Sequence, residues 1–96
     1  MADMFRRILT RMQEKVRRRQ YVVTHHATKE MNEDDLTIYD LERGVLTGRS
    51  CERQRDRETG EAKFRIRGET VGGVGIELLA KLSPTGKLVI ITVYAL

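Results

Sequence analysis

Apolar residues recur at alternate positions along the second half of the chain, which predicts β-strands there. Residues 62–67 alternate between apolar and basic side chains, and residues 74–82 and 87–94 form longer apolar runs. The last run is apolar on both of its alternating faces, so we expect a central strand. A turn at residues 83–86 joins the two long runs, and residues 49–55 form a weaker, polar strand. This half of the chain is predicted to be a four-stranded antiparallel β-meander.

The first half of the chain has a helical period instead. Residues 3–18 carry apolar residues at helical spacing with a basic opposite face, which predicts an amphipathic helix. Residues 20–24 favour β-structure and form either a brief strand or the lead into a short helix over residues 26–32. Thr37 and Asp40 match a capping box, which predicts the start of a third helix.

The order of these elements predicts an α+β domain in which N-terminal helices pack on one face of the meander. Residues 1–96 contain no linker or repeat, so we expect a single domain that begins with a basic helix over residues 1–19. Gly44 falls inside the third helix, where it costs about 1 kcal/mol relative to alanine. Either that helix ends early, or it packs closely against the sheet at this glycine.

Composition limits the function classes. A chain of 96 residues with 40% hydrophobic content supports one small core. The single cysteine excludes an internal disulfide and a cysteine-based metal cluster. No run approaches transmembrane length, and the N-terminus does not resemble a secretory signal. We therefore expect a cytoplasmic protein that needs no metal or other cofactor and contacts no membrane.

The net charge of +4 is distributed unevenly. The first 20 residues hold seven basic side chains, residues 30–42 hold six acidic and no basic ones, and residues 43–67 are basic again. Such segregation favours a polyanion or an acidic partner, although small domains also reach this charge without one. The arginines at 17–19 suit the negative end of a helix dipole, and contact with RNA is the alternative.

Basic side chains on the alternating strand are candidates for phosphate binding. Arg65 and Arg67 project from one side of a strand about 7 Å apart, which resembles the spacing of nucleic-acid phosphates. Guanidinium groups bind phosphate and can stabilise the charge of a phosphoryl transition state. In this interpretation, four more basic residues take part in binding: Lys63, Lys81, Arg53 and Arg55. The alternative is a solvated outer face whose charges are balanced by three glutamates: Glu52, Glu61 and Glu77.

Two residues are candidates for proton transfer. His26 can act as a general acid or base near neutral pH, but it can also cap a helix or fill a half-buried position. Tyr94, near the end of the last strand, can stack on a base or donate a proton, and it can also simply fill the core. Neither residue belongs to a metal-binding spacing.

One set of residues also carries a family resemblance: His26, Ala27, Met31, Leu36, Thr37, Asp40, Leu41 and Gly48. They resemble the pattern HAxxRM…RGI(S/T)xxDV…G, which is typical of domain-of-unknown-function family 4258. The likeness extends over about residues 20–94. The sequence departs from the pattern at Glu30, where the family often has Arg, and at Asp34 and Asp35, where it often has Arg-Gly.

That family is similar to the RelE/ParE toxin superfamily, which includes BrnT-like and MqsR-like toxins. The resemblance implies a RelE-like fold and metal-independent cleavage of mRNA, often on the ribosome. It also implies a small antitoxin partner of the zinc-finger or helix-turn-helix type. By residue type, the implied positions are Arg65, Arg67, Lys81 and Tyr94, with His26 as the signature residue of the family.

Two functions follow as expectations. The first is a toxin-like endoribonuclease for RNA or ribosome-bound mRNA, in which the RNA 2′-hydroxyl attacks the adjacent phosphate. Arg65 and Arg67 would hold that phosphate, and His26 or Tyr94 would move protons. The second is a non-catalytic module of the same fold that binds nucleic acid, a protein or a second copy of itself. Whether the chain is an enzyme stays open at this point.

Overall fold

A computed structural model describes residues 2–96, together with the side chains of all of these except residues 2, 3, 50 and 51. The described residues form three helices: α1 (Ala2–Arg17), α2 (His25–Glu33) and α3 (Ile38–Leu46). They also form five strands: β1 (Tyr21–Val23), β2 (Ser50–Arg55), β3 (Ala62–Glu69), β4 (Gly75–Leu82) and β5 (Leu88–Ala95). The α+β class is confirmed. No helix in residues 2–96 has both the length and the apolar character needed to cross a bilayer.

The sheet has the strand order β1-β5-β4-β3-β2. Strands β2 to β5 form the antiparallel meander that the alternating pattern predicted. Strand β1 adds a fifth strand that runs parallel to β5, with Tyr21 opposite Leu88 and Val23 opposite Ile90. The prediction of a purely antiparallel four-stranded sheet is therefore wrong, and the short run left open between strand and helix is a strand. Its three residues are too few to show a period of their own.

The three helices cover one face of the sheet. Helix α2 packs on β5, α3 packs on β3 and β4, and α1 packs on α3 and reaches β2 and β5. On the covered face Ile66 lies opposite Leu78, which in turn lies opposite Val93, and all three are fully buried. The core from the helices comprises Met12, Val16, Ala27, Met31, Leu41 and Val45, and the core from the sheet comprises Phe64, Ile66, Ile76, Leu78, Ala80, Leu88, Ile90 and Val93.

Strand β5 contains a β-bulge. Leu79 pairs with Thr92 whereas Ala80 pairs with Ile90, so Ile91 has no partner on β4. Because one residue is extra, the alternation of side chains shifts along the strand. Strict alternation predicts that Tyr94 shares a face with Leu88 and Ile90. The bulge instead places Tyr94 on the sheet face that the helices leave uncovered, which we call the outer face.

Helix α3 approaches the sheet closely because of two glycines. A β-carbon at Gly44 would lie 2.7 Å from Ile76, and one at Gly68 would lie 2.0 Å from the Gly44 carbonyl oxygen. Since α3 continues to Leu46, the helix does not end at Gly44. Close packing explains the glycine within this helix.

The start of α3 is the predicted capping box. The Thr37 hydroxyl oxygen accepts a hydrogen bond from the Asp40 N–H at 3.2 Å, and the Asp40 carboxylate accepts one from the Thr37 N–H at 2.9 Å. The second Asp40 oxygen accepts a hydrogen bond from the Val71 N–H at 3.1 Å, which ties α3 to the β3–β4 loop. The Thr37 N–H bond is the main reason why the pKa of Asp40 lies below its usual value.

Candidate functional site

The outer face brings two arginines, a glutamate and a tyrosine together. Arg67 on β3 lies directly opposite Glu77 on β4, and Glu77 lies directly opposite Tyr94 on β5. Arg65 occupies the neighbouring row, opposite Leu79. A cavity of about 70 Å³ opens between these rows and is lined by Arg65, Glu77, Leu78, Leu79, Thr92 and Tyr94.

Glu77 is buried although it belongs to the outer face, with only 4% of its surface exposed. Its Oε1 accepts a hydrogen bond from Nε of Arg67 at 2.8 Å, and its Oε2 lies 3.8 Å from Nε of Arg65. A buried carboxylate needs compensating charge, and these two guanidinium groups supply it. We call this group the Arg–Glu–Arg cluster.

The two arginines of the cluster differ in how they face solvent. The Arg67 side chain is 58% exposed, and Glu77 is the carboxylate it contacts among the described residues. The Arg65 side chain is 35% exposed and also lies 3.7 Å from an exposed carboxylate, Glu52. An exposed pair of this kind contributes little binding energy and opens readily. Arg67 is therefore the side chain best placed to contact an anion that approaches the outer face.

The two predicted lysines lie on the outer face, and each is already paired. Lys63 Nζ lies 3.5 Å from Asp56, and Lys81 Nζ donates a hydrogen bond to Glu61 at 2.6 Å. Both carboxylates belong to the β2–β3 loop, since Asp56 is its first residue and Glu61 is its last. The lysines therefore stabilise this loop against the sheet and add no free positive charge to the cavity.

The structure separates the β2 arginines from the outer face. Arg53 lies opposite Phe64, and Arg55 lies opposite Ala62, on the side of the sheet that the helices cover. Glu52 and Gln54 occupy the outer-face positions of β2 instead. Arg53 and Arg55 are exposed at the sheet edge and do not extend the patch formed by Arg65.

His26 lies on α2 at the edge of the sheet, outside the residues that line the cavity. Its Nε2 is 3.3 Å from Oε1 of Glu30, and the same oxygen accepts a hydrogen bond from the Val93 N–H at 3.3 Å. Val93 stands between Thr92 and Tyr94, so His26 borders the strand that supplies the cavity. Its side chain is 68% exposed.

A family model described as a domain of unknown function, DUF4258, matches residues 23–95. The chain belongs to the DUF4258 family. The match includes α2, α3 and the whole antiparallel meander, and it leaves α1 outside. No curated protein and no solved structure matches the chain significantly.

The structure gives roles to the residues at which this DUF4258 chain departs from the pattern HAxxRM…RGI. Helix α2 runs along the part of the β5 edge that β1 does not reach. Glu30 accepts the Val93 N–H there, and Asp34 accepts the Ala95 N–H at 2.9 Å. Asp35 has a φ of 54°, a left-handed conformation that glycine adopts easily. The glycine of the family pattern therefore suits the backbone at this position.

Sequence reasoning about the DUF4258 chain considered Glu77 only as one of the acids that balance the basic side chains of the sheet face, and the structure shows that pairing with Arg65 and Arg67. It assigned no role to Thr92. Glu77 is the only carboxylate in the apolar run at residues 74–82, and a single acid in such a run is the sequence feature that could have marked it as a candidate site residue. Its significance depends on strand register, which places it between Arg67 and Tyr94. Among described residues no three His, Cys, Asp or Glu side chains are grouped so that they could hold a metal ion.

Proposed function

We propose that this chain is a toxin-like endoribonuclease that cleaves mRNA, free or on the ribosome, by a metal-independent mechanism. The observation that carries the proposal is Glu77, a buried carboxylate held by two guanidinium groups beside a cavity on the open side of the sheet. A merely solvated sheet face has no need of a buried charge. The likeness of the DUF4258 pattern to the RelE/ParE toxin superfamily supports the same assignment.

Cleavage by the neighbouring 2′-hydroxyl needs a base, an acid and a cation. Glu77 accepts the proton of the 2′-hydroxyl while the 2′-oxygen of the RNA forms a bond to phosphorus. Arg67 and Arg65 bind the non-bridging oxygens and stabilise the added negative charge. The bond from phosphorus to the 5′ oxygen then breaks, and Tyr94 donates its proton to the departing oxygen. The products are a 2′,3′-cyclic phosphate and a free 5′-hydroxyl, and exchange with water restores both side chains.

His26 has a different position in this proposal. Because it shares the Glu30 carboxylate with the Val93 N–H, it sits beside the strand that carries Tyr94. From there the imidazole can contact an RNA chain that crosses the β5 edge. We assign it to substrate positioning, and Tyr94 to proton donation.

The test is an RNA cleavage assay with purified protein on free mRNA and on translating ribosomes. Wild type should cleave at least one of the two substrates, and Glu77→Gln should reduce the rate by about 10²- to 10⁴-fold, the usual contribution of a general base. Arg67→Ala should also reduce it strongly. Matched controls are Glu69→Gln and Arg57→Ala, which remove exposed charges outside the cluster and should retain wild-type rates. Absence of cleavage by wild type, or full activity in Glu77→Gln, would contradict the proposal.

The proposal includes a small antitoxin of the zinc-finger or helix-turn-helix type, and it places the activity in the cytoplasm. Expression of the wild-type chain alone should therefore arrest growth, whereas Glu77→Gln should not. Co-expression of the protein encoded by the neighbouring gene should restore growth and yield a complex that copurifies.

A second candidate is a non-catalytic binding module of the same fold. This candidate is favoured because basic side chains of the outer face are already paired with carboxylates. Lys63 contacts Asp56, and Lys81 contacts Glu61. Such a balanced surface suits a protein partner. Binding to RNA that is independent of salt, or no binding at all, would support this candidate, because phosphate contacts make binding steeply salt-dependent.

A further inference from the structure

Arg19 adopts a backbone conformation that favours glycine. Its φ is 56°, in the left-handed region. The residue follows the last turn of α1, where the Arg19 N–H donates to the Val16 carbonyl at 3.0 Å and the Gln20 N–H donates to the Lys15 carbonyl at 2.8 Å. These two bonds define a Schellman helix end, whose left-handed position is usually a glycine. A β-carbon there destabilises the fold.

Among the described residues, no hydrogen bond or ion pair of the Arg19 side chain offsets this cost. The Arg19 side chain is exposed, and the ion pairs at this helix end join Glu14 to Arg17 and Arg18 instead. Asp35 is the other described non-glycine residue with a left-handed φ, at 54°. Aspartate tolerates that conformation because its short polar side chain bonds locally, which arginine does not do. The chain thus keeps a long cationic side chain where glycine would be more stable.

Two more basic residues, Lys15 and Lys87, lie near this end of α1. The Leu88 N–H donates to the Gln20 carbonyl at 3.0 Å, which brings Lys87 beside the end of α1. Lys15 extends over the turn before β5, with its Nζ 3.7 Å from the β-carbon position of Gly86. We call this group the basic corner, and it consists of Lys15, Arg17, Arg18, Arg19 and Lys87.

We infer that the basic corner anchors the phosphodiester backbone of single-stranded RNA at a position separate from the outer-face cavity. The helix dipole accounts for Lys15 and Arg17 in the last turn of α1, but it does not account for Arg19, which lies two residues beyond the end of the helix. Within the basic corner, Arg19 and Lys87 are exposed, and their side chains form no hydrogen bond or ion pair among the described residues. Such cations bind a polyanion by releasing its counterions. The choice of RNA rests on the proposed function, whereas the cationic anchor rests on Arg19 and its neighbours.

The experiment compares Arg19→Gly with Asp35→Gly, because each replaces a left-handed residue with glycine. Arg19→Gly should unfold at a temperature about 4 °C higher than wild type for a domain of this size. Asp35→Gly should gain less, because aspartate already tolerates the left-handed conformation. The probe is a single-stranded oligoribonucleotide with methylated 2′-hydroxyls, which cannot be cleaved by 2′-hydroxyl attack. Its dissociation constant is measured by fluorescence anisotropy over a series of salt concentrations. Arg19→Lys is included because it keeps the charge.

Arg19→Gly should bind the probe about five- to tenfold more weakly at about 50 mM salt, and its salt slope should be smaller by about 0.7, the contribution of one phosphate contact. Asp35→Gly should bind at least as tightly as wild type, and Arg19→Lys should stay close to wild type. Greater stability combined with weaker binding is the decisive result for Arg19→Gly, because a structural residue cannot produce it.

Wild-type affinity and slope in Arg19→Gly would overturn the inference. So would a loss of affinity that accompanies a lower unfolding temperature, since Arg19 would then be structural. Binding of the wild type that does not depend on salt would also overturn it and would favour an acidic protein partner. The cleavage assay is independent of this outcome: weaker binding of the uncleavable probe by Arg19→Gly supports the basic corner even where unmodified RNA is not cut.

Discussion

Gly68 and Gly44 set the distance between α3 and the sheet. The β-carbon position at Gly68 is 2.0 Å from a backbone oxygen, which cannot rotate away as a side chain can. We predict that Gly68→Ala lowers the free energy of unfolding by about 2–3 kcal/mol, because α3 must move off the sheet. Urea unfolding monitored by circular dichroism measures this change.

Gly72→Ala is the matched control for this substitution. Its β-carbon position has no neighbour closer than 4.0 Å, and it lies in the loop that follows the same strand. It should leave the unfolding midpoint nearly unchanged. Equal midpoints for the two variants would show that α3 does not depend on the contact with Gly68.

At the scale of single residues, the sequence predicts what depends on neighbours a few positions away. Thr37 and Asp40 were identified because a capping box is complete within four residues. The face of Tyr94 was not predictable, because both faces of β5 are apolar and the sequence gives no sign of the extra residue Ile91. The cluster around Glu77 needed the register of three strands, which no local pattern specifies.

The Asp40 carboxylate in the first turn of α3 makes a contribution to stability that depends on pH. The Asp40 pKa is lowered in the folded protein, mainly by the Thr37 N–H, so the charged carboxylate stabilises the fold. This contribution is complete above the usual pKa of 3.8 and is lost as pH falls through the lower folded value. We predict that Asp40→Asn reduces stability by about 1 kcal/mol at neutral pH and by less below about pH 4.

The measurement is the urea midpoint of both proteins between about pH 7 and pH 3. Glu33→Gln serves as the control, because Glu33 is an exposed carboxylate on the last turn of α2. Its midpoint should follow wild type at every pH. A gap between wild type and Asp40→Asn that stays constant as pH falls would contradict the role of the charge.

At the scale of elements, the helices and the meander follow from period alone, whereas β1 does not. Its three residues form a strand because Gln20 and Thr24 bond to the backbone of β5 on either side of them. The sequence also does not predict that α2 caps the edge of β5, because Glu30 and Asp34 resemble ordinary solvated acids there. Tertiary partners decide the structure of both elements.

The part of the chain that folds as one unit extends beyond residues 23–95, which the family model matches. The match begins at residue 23, yet α1 contributes Met12 and Val16 to the core, where they are 0% and 3% exposed. Removal of α1 would expose the side of α3 against which it packs. We predict that a fragment of residues 20–96 loses on the order of 5 kcal/mol, which is comparable to the entire stability of a small domain.

Circular dichroism and dye binding to exposed apolar surface test this prediction. The fragment should bind the dye strongly and unfold without a cooperative transition. A full-length chain with Arg6→Ala and Arg7→Ala is the control, because it loses basic charge from α1 and keeps the apolar side. A cooperative, dye-free fragment would show that residues 20–96 fold without the helix.

The two borders of the sheet are unequal. On one side β1 is three residues long and α2 occupies the rest of the β5 border, whereas on the other side β2 offers six residues. A sheet with one long edge strand can pair with one other sheet through that strand. The resulting dimer then has only the short β1 edge at both of its ends. Edge-to-edge pairing between copies would therefore stop at two chains and would not continue into a filament.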